Sequence, residues 1–405
     1  MYPILAILSV FTLAYSTVAG RVEKSWVSGP MLFTAFGLII GPVGLGVMHE
    51  SSDSELLLSL AELTLALLLF ADAAHADLAI LRRTRGLPLR LLAIGLPLTI
   101  LLGFGIGRVL FGEMTLLEIA LLATILAPTD AALGKPVVAN RAVPGPIRQG
   151  LNVESGLNDG ICVPILFLFL TMAAERVGGQ GGGELGLALR LFAESIGIGL
   201  AVGIALAGAG VWLVELARGR GWLSPTWSQA TVVALAFGCF GTAQSLGGSG
   251  FIASFAGGVL FGALLKHARQ DLLHAPEGIG DTFALLTWVL FGAAVVGQAI
   301  ERFSIPIVLY AVLSLTVIRM IPVFVSVIGL GLSTETKLFL GWFGPRGLAS
   351  IVFGVIVLEA ELPHGDVISA VVVYTVLLSV IAHGVSANLW ANAFGARVRA
   401  SEATR

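Results

Sequence analysis

Oxygen-bearing side chains cluster in one apolar stretch of the chain. The densest polar set within residues 147–172 consists of Asn152, Glu154, Ser155, Asn158 and Asp159. On a helix, residues four positions apart lie on one face, so Ser155 lies above Asp159, and Glu154 lies above Asn158 on the neighbouring stripe. A dehydrated alkali cation needs several such oxygen ligands close together. The spacing therefore predicts a compact, oxygen-rich patch.

A second oxygen-rich segment precedes this patch. Pro128 interrupts the apolar run 114–133 immediately before Thr129 and Asp130. Because proline removes a backbone donor, we expect the helix to break there and to free carbonyl groups beside the Thr129 hydroxyl. Together the two segments offer Thr129, Ser155 and Asp159 as ligands of one cation.

A matching interruption occurs in the second half of the chain. The sequence Gly344-Pro345-Arg346-Gly347 breaks the apolar run 336–360, and again a proline is next to a charged residue. We expect Arg346 to offset the carbonyl ends of helices and Asp130 to offset the amide ends. Two ordinary proline kinks are the alternative explanation of this pair.

The two carboxyl groups of the patch, those of Glu154 and Asp159, are expected to have different roles. Burial disfavours the charged form of a carboxyl group, so Asp159 could hold either a proton or a cation. A second, unpaired carboxylate would compete for the ion, and Glu154 therefore needs a partner. Arg319, inside the run 304–331, is the candidate for a buried pair, and the alternative is that Arg319 extends to the aqueous surface.

Composition places these groups in a membrane protein. Of 405 residues, 57% are hydrophobic and 12% are charged, whereas soluble domains carry roughly 25% charged residues. An ionisable group inside a span costs about 2.5–3.5 kcal/mol, so it indicates function by default. We count thirteen apolar runs, each near the roughly 20 residues that a bilayer requires: 2–20, 27–47, 55–74, 87–111, 114–133, 147–172, 187–216, 228–246, 249–265, 280–299, 304–331, 336–360 and 367–393.

The distribution of Lys and Arg predicts orientation and symmetry. Seventeen of these residues fall on one side of the predicted spans and four on the other, which places the N-terminus outside and the C-terminus in the cytoplasm. The glycine-rich segment 178–183 lies near the middle of the chain. We therefore expect one transporter domain with inverted halves, 1–172 and 228–393, joined by 187–216.

Several other classes of function are disfavoured. A net charge of −2 gives no basic surface for nucleic acid, and no phosphate-binding loop of the Walker type is present. Cys162 and Cys239 lie in apolar runs and indicate packed thiols, and the histidines lack paired metal-ligand spacing. We expect no cofactor, and no metal other than a transported alkali ion.

The charged motifs together resemble the monovalent cation:proton antiporter family, in its NhaP/NHE-like branch. They are Thr129-Asp130, then Glu154-Ser155-x-x-Asn158-Asp159, then Gly344-x-Arg346-Gly347. The resemblance implies an all-α, inverted-repeat antiporter fold of thirteen helices, with two crossing broken helices. It also implies a homodimer in the cell membrane and a moving core bundle built from 87–172 and 304–393.

The resemblance also implies roles for the site residues. Asp159 would carry the proton and the cation, which could be Na⁺, K⁺ or Li⁺. Thr129 and Ser155 would be ligands, and Glu154, at the same site, would be bridged to Arg319. Asn158 before Asp159 suggests electroneutral exchange of one cation for one proton. The chain departs from many relatives at Ala131, where they carry proline, which leaves the unwound residues open.

Polar residues near the end of the run 55–74 give a weaker signal. Asp72 and His75, with Asp77, could line a cytoplasmic entrance or sense pH, or could simply be solvated at the interface.

A passive cation channel is one rival function. An intramembrane aspartyl protease is another, with Asp130 and Asp159 as the dyad. In those proteases the aspartates lie in Tyr-Asp and Gly-x-Gly-Asp, and neither motif surrounds Asp130 or Asp159.

Overall fold

The computed structural model describes residues 2–23, 25–48, 50–76, 86–177, 184–265, 269–297, 299 and 302–403. Within these ranges every regular element is helical. The first eight helices are α1 Tyr2–Val22, α2 Gly29–Ile40, α3 Glu50–His75, α4 Leu87–Leu110, α5 Leu116–Ile125, α6 Ala131–Val138, α7 Gly145–Val177 and α8 Glu184–Gly219. The other eight are α9 Pro225–Ser245, α10 Gly250–Leu264, α11 Arg269–Leu290, α12 Ile305–Leu315, α13 Val317–Ser326, α14 Thr334–Trp342, α15 Leu348–Glu359 and α16 Gly365–Ala403.

These helices occupy the thirteen apolar runs of the sequence. Seven helical stretches in the described part of the chain are long and apolar enough to cross a membrane unbroken. Three runs are each divided into two helices: α12 and α13 meet at Thr316 within one helical stretch, whereas non-helical residues separate α5 from α6 and α14 from α15. The all-α, polytopic fold class with two broken helices is thus confirmed. The predicted segment 178–183 and Asp77 lie outside the described residues.

The first broken run extends further than the sequence indicated. The run was expected to end near residue 133, but α6 continues to Val138. The reason is that Asp130 caps a new helix start, so the second half of the run begins only at Ala131. The break itself lies at the predicted residues, and the helix that follows it continues past the apolar run to Val138.

Close helix packing depends on glycine where α10 meets its neighbours. A Cβ atom at Gly258 or Gly262 would collide with the backbone carbonyl of Phe70 or Ala74 on α3. Gly203 on α8 approaches the Ala253 carbonyl of α10 in the same way. In a bilayer, helices associate through van der Waals packing and close backbone approach. Helices α3, α8 and α10 therefore form a tight scaffold.

Helix α7 connects this scaffold to the broken helices. It packs against α3 on one side and against α5 and α6 on the other. The backbone of Asp72 packs against Gly156, and the ring of Phe255 on α10 packs against Gly160. The patch carried by α7 is thus placed between the scaffold and the two helix breaks.

We predict that Gly258→Ala lowers the free energy of unfolding by about 1–3 kcal/mol, because the added methyl group forces α10 away from α3. The measurement is denaturant unfolding in detergent micelles, followed by tryptophan fluorescence. Gly238→Ala is the matched control, since a Cβ atom there meets nothing within 4 Å. It should leave stability unchanged or raise it by up to about 1 kcal/mol. Equal stability of the two variants would contradict the packing described above.

Candidate functional site

The two helix breaks lie against each other. Helix α5 ends at Ile125 and α6 begins at Ala131, while α14 ends at Trp342 and α15 begins at Leu348. The backbone amide of Asp130 donates to the Pro345 carbonyl at 2.8 Å, which joins one break to the other. Two helix N-termini and two helix C-termini therefore meet at one place.

The Asp130 carboxylate caps both N-termini. Its Oδ1 accepts from the Leu133 amide of α6 at 2.8 Å, and its Oδ2 accepts from the Leu348 amide of α15 at 2.7 Å. A carboxylate at a helix N-terminus satisfies free amide groups and offsets the positive end of the helix dipole. Because both oxygens are engaged in this way, Asp130 holds the crossing together.

Gly347 makes room for this carboxylate. A Cβ atom at Gly347 would collide with the carboxylate group of Asp130. The φ of Gly347 is −155°, which lies outside the left-handed region that favours glycine. The requirement for glycine is therefore the close approach of Asp130.

The carbonyl ends of the broken helices are satisfied by side chains from the second break. Arg346 is fully buried, and its Nη1 donates to the Pro128 carbonyl at 3.2 Å and to the Gly344 carbonyl at 3.1 Å. Ser350 donates to the Ile125 carbonyl, the end of α5, at 2.9 Å. One cation and one hydroxyl thus balance the negative ends, as Asp130 balances the positive ends.

A hydroxyl pair joins the first break to α7. Thr129 Oγ1 and Ser155 Oγ lie 2.9 Å apart, and Asn158 Nδ2 donates to Thr129 Oγ1 at 2.7 Å. All three side chains are buried. The structure therefore brings Thr129, Ser155 and Asn158 into one polar group in the protein interior.

Asp159 completes the group. It follows Asn158 directly and lies one helical turn beyond Ser155. Among the described residues, Asp159 Oδ1 and Asn158 Oδ1 are inaccessible oxygen atoms with no hydrogen-bond partner. Asp159 interacts electrostatically with Asp130, Asp72 and Arg346. An oxygen atom that accepts nothing from the protein is free to accept a cation or a proton.

Glu154 points away from this group, to Arg319. Arg319 Nη1 and Nη2 donate to Glu154 Oε1 and Oε2 at 2.6 and 2.9 Å, and each side chain is 2% exposed. A two-pronged pair of this kind fixes both geometry and charge. Both carboxylate oxygens of Glu154 are thereby engaged.

The remaining candidates lie around the site. Asp72, on α3, is half-buried and its backbone touches Gly156. His75 Nδ1 lies 2.9 Å from the Ala71 carbonyl of its own helix. Asn152 is exposed, so it stands apart from the buried group. A cavity of about 10 Å³, with room for one water molecule, separates Asn152 and Ser155 from the second break.

Sequence reasoning missed three side chains that contact the breaks: Ser350, Ser379 and His383. Ser379 and His383 are buried in α16 and bond the segment around Arg346. The available signal was the histidine within the apolar run 367–393, because an ionisable side chain at membrane depth calls for an explanation. The spacing of four residues to Ser379 is the second signal.

We predict that Glu154→Gln lowers the free energy of unfolding by about 3–5 kcal/mol, because it leaves the Arg319 charge buried without compensation. The double variant Glu154→Leu/Arg319→Met should recover much of that loss, since it removes both charges. Chemical unfolding of the purified protein in detergent measures both effects. If the double variant is as unstable as the sum of its single variants, Glu154 and Arg319 are not energetically coupled.

The chain matches the family model described as "Sodium/hydrogen exchanger, transmembrane" over residues 7–393. It is 23% identical over 397 residues to a K(+)/H(+) antiporter NhaP2 of Shewanella sp. (strain MR-4), which covers 94% of this chain and 64% of the relative. It is 28% identical over 381 residues to a Na(+)/H(+) antiporter of Saccharomyces cerevisiae, with 88% and 38% covered. The chain thus spans less than two thirds of the length of these relatives.

The fold agrees with a solved structure. The sodium proton antiporter MjNhaP1 from Methanocaldococcus jannaschii superposes with a TM-score of 0.72, at 22% sequence identity, over 95% of this chain and 100% of that one. A second structure of the same antiporter gives a TM-score of 0.70 over 98% of both chains. With its crossed helix breaks and a family match over residues 7–393, the chain belongs to the sodium/hydrogen exchanger family of multi-pass membrane proteins.

Proposed function

We propose that this protein exchanges a monovalent alkali cation for protons, with Asp159 carrying each in turn. The observation that supports it best is that Asp159 Oδ1 has no hydrogen-bond partner within the described part of the chain, one helical turn after the Ser155 hydroxyl group that contacts Thr129. A carboxylate binds either a proton or a cation at this oxygen. Competition for one carboxylate couples the two fluxes, provided that the site opens to one side at a time.

The charges around the site favour a stoichiometry of one for one. Glu154 and Arg319 cancel each other in a buried pair. Asp130 is held by two helix N-termini, and Arg346 by carbonyl groups of both breaks. Asp159 is left as the exchangeable charge. One cation moving one way and one proton moving the other way transport no net charge.

Neutral oxygen atoms would replace the water around the ion. The Thr129 and Ser155 hydroxyl groups are within hydrogen-bond distance of each other, so both oxygens can turn towards one ion. Asn158 uses its Nδ2 to orient Thr129, and its Oδ1 stays available as an acceptor. Several oxygens in a fixed arrangement are needed to dehydrate an alkali ion. The names of the relatives include both Na(+) and K(+) antiporters, and Na⁺ is our first choice, with K⁺ and Li⁺ as alternatives.

Alternating access would come from movement of a core bundle, 87–172 with 304–393, against the scaffold. Gly156 and Gly160 on α7 let the core approach α3 and α10 closely. The halves 1–172 and 228–393 would be inverted repeats. The protein would act as a homodimer in the cell membrane, with the N-terminus outside and the C-terminus in the cytoplasm. Asp72 and His75 would lie at the cytoplasmic entrance.

The protease alternative is weaker on two grounds. The chain does contain a Gly-x-Gly-Asp sequence, at residues 278–281. Its aspartate, Asp281, is 45% exposed and accepts from Lys135 Nζ at 2.6 Å, so it is not a buried member of a dyad. Asp130 has both oxygens bound by backbone amides, whereas a protease dyad requires two carboxyl groups that share a proton.

We predict that Asp159→Asn abolishes exchange and leaves the protein folded, because an amide neither titrates nor carries the charge that attracts the cation. Everted vesicles with an imposed pH gradient measure the dissipation of that gradient on addition of Na⁺, K⁺ or Li⁺. The control is Asp366→Asn, which changes an exposed aspartate that is paired with Arg302. That variant should retain exchange. Undiminished exchange by Asp159→Asn would overturn the site assignment.

We also predict that exchange in proteoliposomes is insensitive to membrane potential, because no net charge crosses per cycle. Reversal of flux should occur when the cation and proton gradients are equal, at every imposed voltage. A passive channel would differ, since its cation flux needs no proton counterflow. A reversal point that moves with voltage would contradict the one-for-one stoichiometry.

A further inference from the structure

The second helix break leaves backbone groups that the first break does not satisfy. The Arg346 amide and the Trp342 carbonyl flank the non-helical residues 343–345. The Arg346 amide is buried and the Trp342 carbonyl is partly buried, and a buried backbone group that lacks a partner costs free energy. The crossing contacts through Asp130, Arg346 and Ser350 do not reach these two groups.

Two side chains of α16 satisfy them. Ser379 Oγ accepts from the Arg346 amide at 2.7 Å, and His383 Nε2 lies 2.9 Å from the Trp342 carbonyl. Because a carbonyl oxygen only accepts, this contact is a hydrogen bond in the tautomer that carries its proton on Nε2. Ser379 and His383 are 0% and 1% exposed. The Gly344 amide also donates to the Trp342 carbonyl, at 2.8 Å, so His383 is the second donor to that carbonyl.

The two side chains also contact each other. Ser379 Oγ and His383 Nδ1 are 3.1 Å apart, four residues apart on one face of α16. When Nδ1 is unprotonated, the Ser379 hydroxyl donates to it and accepts from the Arg346 amide. The hydrogen bonds then run in one direction from the Arg346 amide to the Trp342 carbonyl. In the other tautomer, His383 Nδ1 would donate instead to the Ser379 carbonyl of its own helix, which lies 3.0 Å away.

We infer that Ser379 and His383 form a clamp that positions the second helix break, and through it the cation ligand Thr129. The clamp holds residues 342–346 to α16. Pro345, within that segment, accepts from the Asp130 amide, so the peptide next to Thr129 is fixed by the same contacts. Ser379 and His383 act through other residues and touch no ion, which makes them positioning residues. The inference rests on the proposed function for its effect on exchange.

The test combines amide hydrogen exchange with transport kinetics. Ser379→Ala should accelerate exchange of the Arg346 amide at least about tenfold, because that amide loses its acceptor. His383→Leu should accelerate it as well, because Ser379 loses the partner that orients its hydroxyl group and residues 342–346 lose a contact with α16. In proteoliposomes they should raise the KM for Na⁺ about tenfold, which corresponds to about 1.4 kcal/mol, with a smaller change in kcat. His383→Gln keeps a donor that can reach the Trp342 carbonyl, and should restore most of the wild-type KM. Ser379→Ala supplies the result if His383→Leu does not fold.

The matched control is Ser386→Ala. It removes the hydrogen bond that the Trp342 indole Nε1 donates to Ser386 Oγ at 2.9 Å, and so loses a contact between α14 and α16 without touching the break. Its amide exchange and its KM should equal those of the wild-type protein. Equal amide exchange in Ser379→Ala, His383→Leu and Ser386→Ala would overturn the clamp. Faster amide exchange with an unchanged KM would overturn the positioning role.

The two measurements, amide hydrogen exchange and transport kinetics, test this inference separately from the proposed function. Absence of cation-dependent proton flux in the wild-type protein would refute exchange, and the positioning role would fall with it. The amide-exchange arm would still decide whether Ser379 and His383 hold the break. Loss of the KM effect alone, with wild-type exchange intact, would refute the inference and leave the proposed function standing.

Discussion

Two interrupted helices in a bilayer must satisfy their freed backbone groups inside the protein, because lipid offers no hydrogen-bond partners. The structure meets this constraint by crossing the interruptions. Asp130 serves the amide ends of α6 and α15, and Arg346 and Ser350 serve the carbonyl ends. The rest of the site depends on this crossing, since it fixes Thr129 against Ser155 on α7.

The same need to pair buried groups accounts for the other charges of the site and leaves the Asp159 carboxylate to bind an ion. Asp130 and Arg346 are bound to helix ends, and Glu154 is bound to Arg319. Each of these groups is costly to leave unpaired in a medium of low dielectric constant. Asp159 differs because its Oδ1 has no hydrogen-bond partner among the residues that the structure describes. Because these other charges already have partners, Asp159 can gain or lose a proton without breaking their contacts.

The sequence predicted those features that depend on local pattern. Apolar runs predicted the spans, and Pro128 and Pro345 predicted the two breaks, because proline cannot donate within a helix. The pairing of Glu154 with Arg319, 165 residues apart, followed from the cost of a lone buried charge. The cost of a buried charge also identified Asp130, Arg346 and Asp159 as candidate functional residues.

Other features depend on how the helices cross, which one-dimensional spacing does not specify. Nothing near Asp130 in the chain indicates that its Oδ2 bonds Leu348, because that contact exists only once the breaks meet. Ser379 was overlooked because a serine in an apolar helix ordinarily bonds its own helix backbone. In the structure its hydroxyl accepts from Arg346 on another element. Asn152, which the spacing placed in the patch, shares a helix face with Ser155 and Asp159 but lies about one turn nearer the start of α7, and it is exposed.

The central claim is that one carboxylate exchanges a proton for a cation. Titration calorimetry of the purified protein with Na⁺, in buffers of different ionisation enthalpy, counts the protons released per cation bound. At acidic pH, where the free site is protonated, proton release should approach one per chain and should vanish in Asp159→Asn. Release of two protons per cation, or undiminished release from that variant, would contradict the claim.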